Sequence, residues 1–422
     1  MKRALKPVLF TLAAFAGLAA CGGPAGSPPS SAGAQVIDAI PPADPAHQRG
    51  LEAWLAAFKP RALSEGITEA TWTRATRDIR YNPKVIERDR NQAEFVRPIW
   101  DYLDSAASDT RIENGRAALR DHAAVLRAIE AQYGVEKEVV VAVWGMESNY
   151  GKNRGSTLIL PALATLAYDG RRGSFFASQF IAALKIIQAG DTDPGHLTGS
   201  WAGAMGHTQF IPTSYLSFAV DFTGDGKRDI WSENPADALA STAAYLARSG
   251  WSKGQPWGVE VTLPPGFDYN LAGKKVKKSP ADWAALGVRA QGGGTVPNHG
   301  AASILLPAGA KGPALMIFGN FTAISRYNNA DSYVIGVGHL SDRLVGKGPF
   351  VAPWPRDGRA LTEAERIEVQ ERLTAAGYDT QGADGKIGSN TIAAVMDWQR
   401  ANGLPPDGYV TEKLLNALRR GR

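Results

Sequence analysis

The chain contains one cysteine, Cys21, among its 422 residues. A single thiol excludes a disulfide framework, a CxxC redox pair and a metal–thiolate cluster. The six histidines are scattered, and no two of them stand at metal-ligand spacing. The sequence also lacks HExxH, GxxxxGK and GxGxxG. These absences argue against zinc hydrolysis and nucleotide cofactors.

The chain is also short of long apolar runs and of excess charge. No run approaches the roughly 18–20 residues of a membrane-spanning helix, which excludes a polytopic membrane protein. The net charge is +5, but residues 1–20 hold three basic residues and no acid. The remaining 43 basic and 41 acidic residues nearly balance, so nucleic-acid binding has little support. The composition, 44% hydrophobic and 21% charged, is that of a globular protein of two or three domains.

The first residues have the pattern of an export signal. Lys2, Arg3 and Lys6 precede an apolar stretch that ends in Leu-Ala-Ala-Cys, with Cys21 last. That ending resembles the bacterial lipobox, which implies that Cys21 carries the lipid. Residues 22–34 are only Gly, Ala, Ser and Pro, a flexible tether. We therefore predict a signal peptide at 1–20, a lipid-anchored tether at 21–46 and a location on the periplasmic face of the outer membrane. The alternative is an incidental free cysteine.

The body of the chain, residues 47–345, has the patterns of an α+β, mainly helical domain. Apolar residues from Leu119 to Tyr133 recur at helical spacing, and Gly134 is placed to end that helix. A second helix is predicted from a Ser174 cap to Gly190. Residues 251–312 are rich in Gly and Pro and are predicted to form short strands and loops.

One carboxylate follows the longest apolar run of this body. Residues 139–146 (VVVAVWGM) are uninterrupted, and Glu147 comes next, before Ser-Asn-Tyr-Gly. Periodicity alone leaves helix and strand open for this run. Partial desolvation at its end would raise the pKa of Glu147, as a general acid at neutral pH requires. The alternative is a glutamate that caps an element or forms an ion pair.

Two later segments add polar and aromatic groups. Residues 200–212 (SWAGAMGHTQFIP) are rich in small residues, which would let a ligand approach the backbone. Residues 320–329 (NFTAISRYNN) carry amide and aromatic groups suited to sugars. MESNYG, GAMGHTQFIPTSY and NFTAISRYNN resemble, in order, the motifs of the membrane-bound B-type lytic murein transglycosylases, over roughly residues 50–345. The resemblance implies a lysozyme-like catalytic domain with a small β-containing excursion.

The resemblance also implies a mechanism with one carboxylate. Glu147 would protonate the leaving oxygen of the β-1,4 bond between N-acetylmuramic acid and N-acetylglucosamine, then act as base while the C6 hydroxyl closes a 1,6-anhydro ring. The implied substrate-binding residues are Ser200, Gln209, Asn328, Tyr327, Tyr333, Tyr245, Tyr102, Arg171 and Arg172. The open alternatives are a hydrolytic muramidase with Asp169 or Asp193 as second carboxylate, and a non-catalytic wall-binding lipoprotein.

Residues 221–229 (DFTGDGKRD) resemble the start of a calcium loop. Asp221, Thr223 and Asp225 take the first, third and fifth places, with Gly at the sixth. The twelfth place is Ser232 instead of glutamate. Some members of the family that this chain resembles bind a cation here through a later acidic residue, and Asp237 is the candidate for that residue. We expect no required cofactor and keep calcium as a candidate structural ion. The alternative is an Asp/Gly turn held by its own hydrogen bonds.

The last part of the chain is predicted to be a separate three-helix domain at 361–422, after a linker at 346–360. Thr362 with Glu365 has the pattern of a capping box, and Ser389 and Thr411 are placed to cap the next two helices. Asp384–Gly388, Trp398-Gln399 and Asp407-Gly408 resemble the peptidoglycan-binding domain of type 1. The implied partners are peptidoglycan glycan strands, the membrane through the lipid anchor and a wall-remodelling complex.

Overall fold

The structure, a computed structural model, describes residues 37–91 and 97–421. The predicted signal peptide, Cys21 and the tether up to residue 36 lie outside these ranges. The described chain forms two compact units, one of residues 37–91 with 114–248 and the other of residues 97–113 with 249–421. The division falls inside a helix and differs from the predicted domain boundaries, since the second unit includes both the end of the body and the C-terminal helices.

The first unit is almost entirely helical. Its elements, numbered along the whole chain, are α1 (Pro45–Ser64), α2 (Glu69–Thr76), α3 (Pro83–Arg90), the main part of α5 (Asp109–Asp121), α6 (Ala123–Tyr133), α7 (Lys137–Ser148), β1 (Thr157–Leu158), α8 (Ile159–Asp169), α9 (Gly173–Ala189), β2 (Thr198–Gly199), α10 (Pro212–Phe218) and α11 (Ala236–Arg248).

Helix α8 lies at the centre of this unit. It is buried from Ile159 to Ala167 and packs against α9, α1 and α3. A helix that is apolar on all sides requires neighbours on all sides. Helix α7 is the second buried helix: every residue from Val139 to Gly145 is buried, and it packs against α6 and α11. Its valines favour strands intrinsically, so tertiary packing decides in favour of the helix.

The second unit combines a small sheet with helices. Its elements are α4 (Ile99–Ala106), β3 (Gly258–Thr262), α12 (Pro280–Ala285), β4 (Arg289–Ala290), β5 (Ser303–Leu305), β6 (Ala314–Ile317), α13 (Gly319–Tyr327), α14 (Asp331–Leu344), α15 (Glu363–Ala375), α16 (Ser389–Ala401) and α17 (Glu412–Arg419).

The sheet of the second unit is antiparallel in the order β4-β3-β6-β5, with Val259 opposite Met316. Its core surrounds the fully buried Trp283, whose indole N–H donates to the Ala302 carbonyl over 3.0 Å. Helix α14 packs against α4 and α13. The three C-terminal helices enclose their own core, which includes Val369, Val395, Trp398 and Leu415.

These elements confirm the mainly helical α+β class, with the strands largely in the Gly- and Pro-rich stretch. Gly134 and Gly190 end their helices in the left-handed conformation, as predicted. The single helix expected up to Tyr133 was wrong, because the chain breaks at His122 between α5 and α6. Serine caps at 174 and 389 were also wrong, since Arg172 and Gly388 precede those helices. The Thr362–Glu365 capping box is confirmed.

The structure describes no helix that combines the length and the apolar character needed to cross a bilayer.

A glycine in α14 provides a test of this packing. A Cβ on Gly338 would lie 2.3 Å from the indole of Trp257, whose Nε1–H donates to Asp342 over 3.0 Å. Gly338→Ala should gain about 1 kcal/mol of helix propensity but lose more through overpacking and displacement of the indole. We expect a net loss of about 2 kcal/mol in unfolding free energy, measured by urea denaturation.

Gly319→Ala is the matched control, because a Cβ on that helical glycine would meet no other described segment within 4 Å. It should be neutral or slightly stabilising. Equal effects of the two substitutions would contradict the packing described for α14.

Candidate active site

Glu147 lies in the last turn of α7, one residue before the helix ends. The two residues after the helix, Asn149 and Tyr150, have φ angles of 50° and 58°, which non-glycine residues rarely adopt. The buried helix therefore ends abruptly, and the Glu147 side chain is half-buried at its C-terminal end. Backbone strain of this kind concentrates at functional sites.

Ser148 fastens this helix end to the segment that follows β2. Its hydroxyl donates to the His207 carbonyl over 2.6 Å and accepts from the Gly151 amide over 3.0 Å. The Ser148 side chain is buried, so both of these hydrogen bonds are shielded from water. The residue after the candidate acid is thus fixed to residues 200–210.

His207 is a neutral structural group here. The Trp144 indole N–H donates to its Nδ1 over 3.1 Å, and its own Nε2–H donates to the Ser232 carbonyl over 2.7 Å. This pattern requires the Nε2–H tautomer of the uncharged ring. Burial, with a smaller contribution from the Arg154 cation, lowers the pKa of His207 from 6.5 to about 4. The ring therefore positions other groups and carries no charge at neutral pH.

Arg154 and Gln209 extend the same network. Arg154 donates to the carbonyls of Trp231 and Ser232 over 3.1 and 3.0 Å and pairs with Glu233. The Gln209 amide nitrogen donates to the carbonyls of Arg154 and Gly206 over 3.1 and 2.8 Å. Because these two bonds use both hydrogens of its amide nitrogen, the Gln209 carboxamide has a defined direction. The roles of Arg154, Ser148 and His207 had no signal in the spacing of the sequence.

Ser200 closes a tight loop beside this network. Its hydroxyl accepts from the Ala204 amide over 3.0 Å, and its amide donates to the Ala204 carbonyl over 2.7 Å. The neighbouring small residues serve backbone packing: a Cβ on Gly206 would lie 2.2 Å from the Ile230 carbonyl oxygen. For this glycine, the expectation that small residues admit a ligand was wrong, because another backbone segment fills that space.

Arg171 and Arg172 both bind one buried carboxylate, Asp89, whose side chain is 2% exposed. Arg171 also donates to the Asp89 carbonyl. Two guanidinium groups on one carboxylate leave a net positive charge beside α3 and α9. Tyr245, on α11, packs its ring 4.2 Å from that of Phe218 and is half-buried. The first unit therefore holds Glu147, Ser200, Gln209, Tyr245, Arg171 and Arg172.

The other predicted substrate-binding residues belong to the second unit. Tyr327 is the last residue of α13, and Asn328 follows it with its side-chain oxygen accepting from the Ala330 amide over 3.1 Å. Tyr333 is buried in α14, and Tyr102 is half-buried in α4. The structure thus groups Tyr327, Asn328 and Tyr333 around the turn between α13 and α14.

The two carboxylates considered as hydrolytic partners have other contacts. Asp169, at the end of α8, pairs with Arg90 over 2.7 Å. Asp193 contacts His196 over 2.6 Å and accepts from the Gly195 amide over 2.8 Å. Each carboxylate is therefore stabilised in place as an ion-pair or turn residue.

The candidate calcium loop brings carboxylates together. Oxygens of Asp221, Asp225 and Asp237 lie within 4.8 Å of one another. Asp237 is buried in the first turn of α11 and accepts from three backbone amides of the loop, at 2.9, 3.0 and 2.9 Å. Burial raises the pKa of Asp237 above its usual value. Two of these bonds go to Asp237 Oδ1 and one goes to Oδ2, so a lone pair of Oδ2 is left for a hard cation.

Comparisons with known proteins agree with this geometry. The family described as "Transglycosylase SLT domain" matches residues 50–342, and the family "Putative peptidoglycan binding domain" matches residues 362–418. The chain belongs to the transglycosylase SLT domain family. The resemblance drawn from the three motifs is thereby confirmed, as are the lysozyme-like fold class and the helical binding domain at the C-terminus.

Individual relatives are similar over much of the chain. "Membrane-bound lytic murein transglycosylase B" of Escherichia coli (strain K12) is 36% identical over 251 residues, which are 58% of this chain and 66% of that protein. SltB3 from Pseudomonas aeruginosa, solved in complex with NAG-anhNAM-pentapeptide, is 49% identical with a TM-score of 0.84, covering 87% of this chain and 99% of that one. The Escherichia coli lytic transglycosylase Slt35, solved in complex with calcium, is 30% identical with a TM-score of 0.60. The match covers 71% of this chain and 93% of Slt35.

The depressed pKa of His207 predicts a pH dependence of stability. The folded-state pKa of about 4 lies below the ordinary value of 6.5, so the unfolded chain takes up the proton first as pH falls. The contribution of neutral His207 to the unfolding free energy is fully present above about pH 6.5 and is lost as the pH falls toward 4. The difference corresponds to about 3 kcal/mol. His207→Gln should be less stable at pH 7 and should show a shallower decline between pH 6.5 and 4, measured by urea unfolding.

Ser178→Ala is the control, because it removes an exposed hydroxyl of α9 that does not titrate in this range. It should leave the slope of stability against pH nearly unchanged. An unaltered slope in His207→Gln would contradict the neutral, buried state of His207.

Proposed function

We propose that this protein is a peptidoglycan lytic transglycosylase in which Glu147 is the only catalytic carboxylate. One observation carries the proposal: a half-buried glutamate lies in the last turn of a helix that is buried from Val139 to Gly145, in a chain of the transglycosylase SLT domain family. The fixed neighbours Ser148 and Gln209 support it, because they hold the helix end and a carboxamide in place.

In the proposed reaction, Glu147 gives its proton to the oxygen that leaves the N-acetylmuramic acid. The Glu147 carboxylate then takes the proton of the C6 hydroxyl while the C6 oxygen bonds to C1. No water is consumed, and the product end is 1,6-anhydro-N-acetylmuramic acid. The substrate's own N-acetyl group stabilises the oxocarbenium-like centre, a task that a second carboxylate performs in most glycosidases. The anhydro sugar bound in the SltB3 complex supports this outcome.

The proposed groove residues divide by chemistry. Ser200 and Asn328 would contact the N-acetyl and hydroxyl groups near the cleaved bond, and Gln209 would hydrogen-bond near the acid. The net charge left by Arg171 and Arg172 on Asp89 would favour the lactyl and peptide carboxylates. The aromatic rings proposed to line the groove are Tyr102, Tyr245, Tyr327 and Tyr333.

The remaining assignments complete the proposal. Residues 47–345 would form the catalytic domain, and residues 361–422 would bind peptidoglycan and raise the local substrate concentration. Cys21 would carry the lipid that holds the enzyme on the periplasmic face of the outer membrane. The membrane-bound relative in Escherichia coli supports a membrane-attached periplasmic enzyme.

Glu147→Gln is the direct test of the acid. The amide keeps the shape but has no proton to deliver, so the rate of solubilising purified sacculi should fall about 10²–10⁴-fold. Glu138→Gln in the first turn of the same helix is the control and should retain activity, because Glu138 pairs with Lys137 at the opposite end of the helix. Similar activity of Glu147→Gln and the parent, with the fold retained, would overturn the assignment.

The alternatives predict different outcomes. A hydrolytic muramidase should lose activity in Asp169→Asn or Asp193→Asn and should release reducing ends. A wall-binding lipoprotein should bind sacculi without releasing any soluble fragment. We expect fragments that are lighter than hydrolysis products by one water, about 18 Da, in mass spectra of the digest.

We also propose that Asp221, Thr223, Asp225 and Asp237 form a structural calcium site. The convergence of three carboxylates supports this, as does the calcium complex of Slt35. Calcium would stabilise the loop before α11 and would take no part in proton transfer.

The calcium proposal predicts a thermal shift. For a dissociation constant of about 1 mM, typical of extracellular modules, about 10 mM Ca²⁺ should stabilise the fold by about 1.4 kcal/mol. The melting temperature should rise by about 3 °C. Asp225→Asn should abolish the rise, whereas Asp397→Asn, whose side chain pairs with Arg400 in α16, should preserve it. The same rise in both variants would exclude this loop as the site.

A further inference from the structure

A cavity of about 650 Å³ lies within the second unit, at the segment predicted to be a linker. Its walls come from the end of α4, from α14 and from residues 349–356, which we call the strap. The volume is within the range of ordinary small-molecule sites. All of the residues that line it belong to the second unit, whereas Glu147 belongs to the first.

The strap is fastened at both ends. The amides of Val351 and Ala352 donate to the Glu260 carboxylate over 2.8 and 2.7 Å. Farther along, Arg356 makes a two-point ion pair with Asp104 of α4, at 2.7 and 2.8 Å. Pro353 restricts the backbone between these attachments, and Pro349 restricts it just before the first one. A cavity wall held in this way loses little entropy when a ligand binds.

Three rings form one side of the cavity. His339 of α14 stacks on Phe350 at 4.4 Å, and Phe350 meets Trp354 edge to face at 5.5 Å. Burial, followed by the nearby Arg343 cation, lowers the pKa of His339 to about 4, so the ring is uncharged at neutral pH. The result is an apolar wall of aromatic faces and edges.

The rest of the lining mixes apolar residues of α4 and the strap with four charges that balance. Two carboxylates, Asp104 and Asp109, and two guanidinium groups, Arg343 and Arg356, line the cavity together with Ser108. A charged ligand gains little from such a lining. A ligand with hydroxyls, amides and an apolar face can use both the rings and the polar groups. N-acetylated pyranose sugars have this combination.

We propose that this cavity, whose lining includes none of the residues assigned to catalysis, is a binding site for an uncharged N-acetylhexosamine saccharide. The proposal rests on the proposed function for its ligand class, since peptidoglycan is rich in N-acetylglucosamine. Peptide stems bear a net negative charge and match the balanced lining less well. The segment between the two predicted domains thus supplies a wall of a glycan site.

The test uses the full chain with fluorine-labelled tryptophan and the trisaccharide of N-acetylglucosamine. The chain has eleven tryptophans, and Trp354→Phe identifies the fluorine resonance of Trp354. That resonance should shift saturably as the trisaccharide is added. Ala107→Phe, which fills the cavity from the α4 side, should weaken this binding about tenfold or more. Ala285→Phe, at an exposed position of the same unit, should leave it unchanged.

Three results would overturn the proposal: no shift of the Trp354 resonance at millimolar trisaccharide, equal affinity in Ala107→Phe and Ala285→Phe, or a shift caused only by a stem peptide. The probe contains no muramic acid, so it is not a substrate of the proposed cleavage. Failure of the cavity proposal therefore appears in the fluorine spectra, and failure of the proposed function appears in the sacculus assay.

Discussion

The candidate site depends on one buried hydrogen bond, from the Ser148 hydroxyl to the His207 carbonyl. It joins the end of α7 to the segment that contains Ser200 and Gln209, two stretches about 60 residues apart in the chain. Without it, the strained residues Asn149 and Tyr150 would lose an anchor. Because the bond is shielded from water, breaking it would leave the buried His207 carbonyl without this donor, at a cost of about 1–3 kcal/mol. The position of the proposed acid thus follows from the packing behind it.

The same network explains why a histidine stands beside the proposed acid without taking part in proton transfer. Its two nitrogens are committed to Trp144 and Ser232, and the Arg154 cation discourages a second positive charge. A neutral ring leaves the proton chemistry to the carboxylate. In acid–base sites generally, neighbouring titratable groups take different roles because their environments give them different pKa values.

Much of the organisation was predictable because it depends on local patterns. The capping box at Thr362, the glycine stops and the three motifs are short-range signals. The pairing of Arg171 and Arg172 with Asp89 and the attachment of the strap to Glu260 were not predictable, because each depends on residues brought together only by the fold. The support of Gln209 by Arg154 belongs to this second group. Non-local contacts carry no signature in the spacing of a single sequence.

The central claim is that one carboxylate both donates and reclaims a proton while the sugar's own hydroxyl replaces water. Digestion of sacculi in water enriched in oxygen-18 tests it most directly, with the released ends analysed by mass spectrometry. The account predicts anhydro ends that contain no label, because no solvent oxygen bonds to C1. Incorporation of one labelled oxygen at C1 for each bond cleaved would contradict it and would require a second group that activates water.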